Sequence, residues 1–278
     1  MYYKDYEMKL KKVEFSDFYP SEGMQNHPQI DFYNKNLKKW KPIEKCSVLV
    51  IQIYTNKEDV GFSTDNNTIQ LSEYLPKSSK SVRNFADRNG FDYRLVERDY
   101  ISPFKKFQSS NFLKYESLKY LKDYDVVLYV DTDIIIGYDV ENFLEYYNGW
   151  SNVVLRTRLG GIEENNNLAN KIYRSHINSG VMIFYKWSVI NLIDDRVFKR
   201  LDNFSNIIPL DMMQKSVTGY YIDDTFFKHF LIYDEILYQH LSNKFNMMYN
   251  MTRDLTNLED VIVHYTGKTK KRMLTRSI

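Results

Sequence analysis

The chain is almost without cysteine. Its single one, Cys46, cannot form an internal disulfide, and at the mouth of an apolar strand a small core side chain is the simpler reading than a reactive thiol. No apolar run approaches the ~20 residues of a membrane span. The opening stretch MYYKDYEMKLKKVEF has no apolar core of the kind a signal peptide needs, so a soluble, cytoplasmic protein is expected. Neither sign of charge dominates. The 38 Lys and Arg against 36 Asp and Glu leave +2, which does not mark a nucleic-acid binder. There is no internal repeat and no low-complexity linker.

What is present is a globular composition: 278 residues, 43% hydrophobic and 16% aromatic, long enough to bury a sizeable core. Residues 1–45 are polar, aromatic and irregular, with Pro20, Pro28 and Pro42, and read as an extension packed on the main body. CSVLVIQIY (46–54) is the first strand. Residues 78–90 read as a helix with Val82, Phe85 and Ala86 on one face and Gly90 as its stop. FDYRLVE follows as a strand. Residues 109–124 read as a helix with Phe112, Tyr115, Leu118 and Leu121 at three-residue steps. A third strand comes directly after it. The alternation predicts an α/β fold with a mainly parallel central sheet flanked by helices. Beyond it, 152–158 reads as a strand and 178–187 as a tight turn feeding a strand. Residues 223–241 read as a helix opening on two acids, and 260–267 as a last strand and turn before a basic tail.

The third strand carries the chemistry. In YDVVLYVDTDIIIG the apolar run Val126–Val130 ends in Asp131 and Asp133, one residue apart. Charged groups are costly in apolar surroundings unless paired, solvated or bound to a metal. Alternate residues of an extended chain point the same way, so the two carboxylates can converge on one hard divalent cation such as Mg²⁺ or Mn²⁺. Taken alone, D-x-D reads more readily as a turn-forming pair. Its place at the carboxyl end of a strand, where α/β sheets bind ligands, favours the cation.

YDVVLYVDTDIII resembles the Asp-x-Asp signature strand of GT-A glycosyltransferases, and most resembles glycosyltransferase family 8, the glycogenin and galactosyltransferase group. Three further stretches agree in order: INSGVMIFY with F-N-S-G-V-F-V-Y, IDDTFFKHF with a D-Q-x-x-L-N helix start, and VHYTGKTK with H-x-x-G-x-x-K. The resemblance covers Cys46 to about Lys271. It implies a single Rossmann-like GT-A domain over 46–278, with a nucleotide-binding half (46–137) and an acceptor and sugar half (138–278).

The resemblance also implies roles. Asp131, Asp133 and His264 would hold Mn²⁺ or Mg²⁺, although a lone histidine on a strand is more often a buried structural residue. Gly267 and Lys270 would meet the donor diphosphate, with Lys268 as a substitute lysine and Lys271-Arg272 where the family often has Pro-Trp. Lys114 aligns with a basic residue that contacts the donor; otherwise it is a solvated surface lysine. Asn178 and Ser179 would line the sugar subsite. Tyr54, Thr55 and Asn56 would hold nucleobase and ribose, without the aspartate the family often carries there. Asp223 matches the family's acid, and Asp224 stands where the family has Gln, close to the reacting carbon. Both acids are also suited to a helix N-terminus.

The implied activity is metal-dependent, retaining transfer of a hexose from a nucleotide sugar, a UDP-sugar above all, to a hydroxyl of a glycan, protein or lipid. The alternatives are a nucleotide-sugar-binding or partner-binding protein of the same fold without transferase activity, and a nucleotidyltransferase. The last normally needs a Gly-rich loop after the first strand, and IQIYTNKEDVG has none.

Overall fold

The structure, a computed structural model, describes residues 43–57, 70–103, 110–146, 153–158, 176–186, 238–249, 257–266 and 269–276. The β-branched run after Cys46 forms β1 (Val48–Thr55), buried at every position but Tyr54. Helix α1 (Leu71–Arg88) starts before the expected residue 78. Its entry is fixed by Glu73, whose carboxylate accepts the Gln70 N–H at 3.0 Å while its own N–H reaches Gln70 O at 3.0 Å. The helix ends at Arg88. Gly90, at φ 68°, makes the turn into β2 (Asp92–Arg98), which pairs in parallel with β1.

Residues Ser110–Lys122 form a 3-10 helix. The three-residue spacing of Phe112, Tyr115, Leu118 and Leu121 is the period of this tighter helix, so all four stack on one face and all four are buried. It delivers the chain to β3 (Val126–Val130), which has no exposed residue and pairs in parallel with β1. After β3 come β4 (Ile134–Ile136), β5 (Val153–Arg158), β6 (His176–Tyr185) and β7 (Tyr238–His240). The main sheet has the order β2-β1-β3-β6-β5-β7. Five of its strands run one way and β6 alone is reversed, so the expected mainly parallel α/β sheet is the observed one. Because β1 lies between β2 and β3, the crossovers diverge there and leave a crevice beyond the carboxyl ends of β1 and β3.

A smaller sheet begins where the chain leaves β3. Its order is β4-β9-β8, with β8 (Met247–Met248) and β9 (Ile262–His264). The basic tail is not a solvated end. Lys270–Thr275 forms α2, which buries Met273, and Lys77 of α1 donates to Leu274 O at 2.8 Å. The core has one large part, from α1 through β1, β3 and β6, and a smaller one around Ile135, Val263 and Tyr265. Cys46 is half-buried against the larger part.

Two expectations are corrected. Asn178-Ser179-Gly180 is not a turn before a strand but lies inside β6, which begins at His176. The reading of 223–241 as one helix fails at its end, where Tyr238–His240 pairs in parallel with β5. Local patterns favour turn and helix at these places, and pairing across the sheet overrides them. Residues 223–237 lie outside the described residues, as do residues 1–42 of the expected extension.

Candidate metal centre

Asp131 and Asp133 sit on the short link from β3 in the large sheet to β4 in the small one. The backbone of that link is held at three points. Asp131 N–H donates to Gly180 O at 2.8 Å, Asp131 O accepts from Gln52 Nε2 at 3.0 Å, and Asp133 O accepts from Tyr265 N–H at 2.9 Å. Ile134 and His264 are register partners across β4 and β9, so closing the small sheet brings the imidazole to the carboxylates. One ligand atom from each of Asp131, Asp133 and His264 lies within 4.8 Å of the others. His264 Nε2 is 3.1 Å from Asp133 Oδ1 and 3.7 Å from Asp131 Oδ2.

Two lysines flank the acids. Lys270 Nζ lies 3.1 Å from Asp133 Oδ2, 3.4 Å from Tyr74 OH and 5.0 Å from the centre of the Tyr74 ring. Lys114, on the 3-10 helix, is 3% exposed, so it is not a surface lysine. Its Nζ donates to Ser179 Oγ at 2.8 Å and lies 3.7 Å from Asp131 Oδ1, which also accepts from Tyr129 OH at 2.6 Å. Each lysine is thus paired with its acid, in contacts only partly shielded from water. Burial alone would push the Asp133 carboxyl up, but Lys270 and His264 hold it well below the usual carboxylate range. Burial alone would lower Lys270, and Asp133 raises it. Burial likewise opposes protonation of His264, yet Asp133 and Asp131 raise its pKa above the ordinary 6.5.

This electrostatic balance says what the site can hold. The two ammonium groups offset the two carboxylates, while the Nε2 lone pair of a neutral His264 would face carboxylate oxygens. A proton or a metal ion between them resolves that conflict. Two hard oxygen donors and one imidazole nitrogen suit Mn²⁺ or Mg²⁺, with positions left for other oxygen ligands.

The other expected residues fall as follows. Asn178 and Ser179 are at the centre, Asn178 behind His264 with its Oδ1 3.2 Å from Nδ1, and Ser179 against Lys114. Tyr54, Thr55 and Asn56 end β1 at the carboxyl edge. Tyr54 OH and Asn56 Nδ2 donate to Glu97 of β2 at 3.1 and 2.5 Å, and buried Thr55 Oγ1 accepts from Lys57 N–H at 3.1 Å. Asp223, Asp224, Gly267 and Lys268 lie outside the described residues. Sequence reading passed over Gly180, Asn246, Tyr74, Tyr129 and Gln52. Of these, only Gly180 carried a signal, as part of N-S-G. The others are ordinary residues brought in by the fold.

The chain is similar to solved glycosyltransferase structures. A glycosyltransferase involved in the glycosylation of the major capsid of PBCV-1 matches at 13% identity and TM-score 0.48, over 82% of this chain and 98% of that one. The galactosyltransferase LgtC, in complex with donor and acceptor sugar analogs, matches at 12% identity and TM-score 0.39, over 82% of this chain and 94% of that one. Mouse xyloside xylosyltransferase 1 matches at 11% identity and TM-score 0.43, over 80% and 99%. No protein-family model and no curated protein matches the sequence.

Proposed function

We propose that the chain is a metal-dependent glycosyltransferase that moves a hexose from a UDP-sugar to a hydroxyl acceptor. The observation that carries the reading is the convergence of Asp131, Asp133 and His264 within 4.8 Å, flanked by Lys114 and Lys270. Four motifs in family order support it from the sequence. With two acids offset by two lysines, a divalent ion leaves a net charge of about +2, which calls for an anion such as a diphosphate.

Asp131, Asp133 and the His264 Nε2 would hold the ion, Mn²⁺ or Mg²⁺. When bound, it neutralises charge developing on the leaving diphosphate. Lys270, on the first turn of α2, supplies a second positive group to the same phosphates. Tyr54, Thr55 and Asn56 hold nucleobase and ribose at the carboxyl end of β1, and Ser179 and Asn178 border the sugar. Gly267 lets the backbone approach the diphosphate. Asp223 positions sugar or acceptor hydroxyls, and Asp224 faces the anomeric carbon. There the bond to the phosphate oxygen breaks, the acceptor oxygen bonds to carbon on the same face, and the acceptor proton passes to the departing diphosphate oxygen. We assign retention of configuration and a single catalytic domain over 46–278. Among the described residues no helix is long and apolar enough to cross a membrane.

The test is release of UDP from a panel of UDP-sugars with Mn²⁺, with chelator, and after Mn²⁺ is restored. Turnover lost in chelator and regained with metal supports the reading. Full turnover in chelator, or none with any donor, sinks it.

A further inference from the structure

Behind His264 lies a chain of amides. Asn178 Oδ1 is 3.2 Å from His264 Nδ1 and accepts from Gly180 N–H at 3.1 Å and from Asn246 Nδ2 at 2.7 Å. Asn246 Nδ2 also donates to Asn178 O at 3.3 Å, and Asn178 Nδ2 points at Met248 Sδ at 3.4 Å. Asn246 is fully buried, just before β8.

The backbone fixes which way both amides point. A backbone carbonyl only accepts, so the Asn246 atom facing Asn178 O is the nitrogen. A backbone N–H only donates, so the Asn178 atom facing Gly180 N is the oxygen. His264 Nδ1 therefore faces an acceptor and must carry a proton. In the neutral ring, Nε2 is then bare and directed at Asp131 and Asp133. Asp133 Oδ1, 3.1 Å from Nε2, would otherwise draw the proton to that nitrogen.

We propose that Asn246, acting through Asn178, sets the tautomer of His264 and so keeps the Nε2 electron pair available to a divalent cation. Asn246 and Asn178 are positioning residues, since neither reaches the cation. The inference rests on the metal reading for its consequence, but not for the tautomer itself. An imidazole ligand held by its second nitrogen is a general device of metal sites, and losing the outer partner typically weakens metal binding about 10–100-fold.

The experiment is ¹⁵N NMR of the histidine rings of the metal-free full chain in alkaline buffer, where imidazole is neutral. The His264 signals are assigned by their loss in His264→Gln. In the wild type, Nδ1 should be the protonated nitrogen. In Asn246→Asp the new carboxylate repels the Asn178 oxygen, the amide turns over, and the proton should move to Nε2. Mn²⁺ affinity, measured by calorimetry, should fall about 10–100-fold. Should Asn246→Asp fail to fold, Asn178→Leu removes the acceptor directly and predicts the same tautomer change. Asn178→Asp offers only acceptors and should keep the wild-type tautomer. A wild-type ring protonated on Nε2 overturns the proposal, as does an unchanged tautomer in a folded Asn246→Asp or Asn178→Leu, a changed tautomer in Asn178→Asp, or a reversed tautomer with unchanged Mn²⁺ affinity. If the wild type binds no Mn²⁺, the metal reading fails and takes the consequence for cation binding with it. The ring spectra still decide the tautomer relay separately.

Discussion

The Cβ that Gly180 lacks would stand 2.5 Å from Cε1 and 2.6 Å from Nδ1 of His264. The imidazole ring therefore occupies the space a side chain would take, pressed against the backbone of β6. Gly180→Ala should push the ring away from Asp131 and Asp133. We expect Mn²⁺ affinity to fall about 10–100-fold, as for loss of a partner that orients a ligand. Overpacking should cost about 1–3 kcal/mol of stability. Calorimetric titration and a denaturant melt read the two effects. Wild-type affinity in the variant would mean that the ring is not held against this strand.

The pH dependence has two limbs of opposite sign. The folded pKa of His264 is raised above 6.5, so its contribution to stability is fully present below 6.5 and is lost as pH rises through the folded value. The folded pKa of Asp133 is depressed below 3.8, so its contribution is present above 3.8 and is lost as pH falls through the folded value. The metal-free chain should thus weaken on the alkaline side of 6.5, and His264→Gln should flatten that limb. Mn²⁺ competes with the Nε2 proton, so affinity should rise with pH across the same window, with proton release on binding. Titrations in two buffers of different ionisation enthalpy measure that release. None at neutral pH would remove His264 from the ligand set.

Much of this site is written in the sequence, but unevenly. The unbroken apolar run of Val126–Val130 marks a doubly covered strand, and charges at its end mark the ligand edge, so Asp131 and Asp133 were legible. The three-residue step from Phe112 to Leu121 was legible as a helix, though not as a 3-10 helix. Asn178 and Gly180 misled because both are turn formers by local preference. Asn178 is held in β6 by pairing with Arg156 of β5, while Ser179 and Gly180 fall in the register shift between that pair and Leu155–Met182, with the Gly180 carbonyl accepting from Asp131 N–H. Asn246 was invisible because its partner is 68 residues away. Tyr238–His240 looked helical because a three-residue strand has too little pattern of its own to interrupt the apolar spacing before it.

Lys270 separates a diphosphate site from a general acidic pocket. Its ammonium is shared between Asp133 and Tyr74, at the edge proposed above to meet the diphosphate. Lys270→Ala should weaken UDP more than uridine, the difference being about 1.5–3 kcal/mol, the size of a hydrogen bond to a charged group. Both affinities are measured with Mn²⁺ present. Equal losses for the two ligands would place the lysine away from the phosphates and leave it as a partner of Asp133 alone.

Gln52 is fully buried on β1, yet every polar atom of its side chain is engaged. Nε2 donates to Ser78 Oγ at 2.9 Å and to Asp131 O at 3.0 Å, and Oε1 accepts from Tyr93 OH at 2.9 Å. Ser78 in turn donates to Ile134 O at 2.7 Å, so one amide ties α1, β2 and both sides of the acidic link to β1. Gln52→Met preserves volume and removes all three bonds. Ser78 keeps its bond to Ile134, and the Tyr93 hydroxyl, whose pKa burial pushes up to about 12, still has Ser79 as a partner, so the group stranded is the Asp131 carbonyl. A buried group left without a partner costs about 1–3 kcal/mol, a loss that should be plain in a denaturant melt. The Asp131 carbonyl can regain a partner only by turning, and turning it swings the carboxylate away from Asp133 and His264. Mn²⁺ affinity should therefore fall along with stability. Gln52→Glu separates the two effects. A protonated carboxylic acid can still donate to Asp131 O, so at each acidic pH this variant should bind Mn²⁺ more tightly than Gln52→Met, and that advantage should vanish as pH rises. Stability within about 0.5 kcal/mol of wild type for Gln52→Met, the range of an inconsequential surface change, would show that the link is held without this amide.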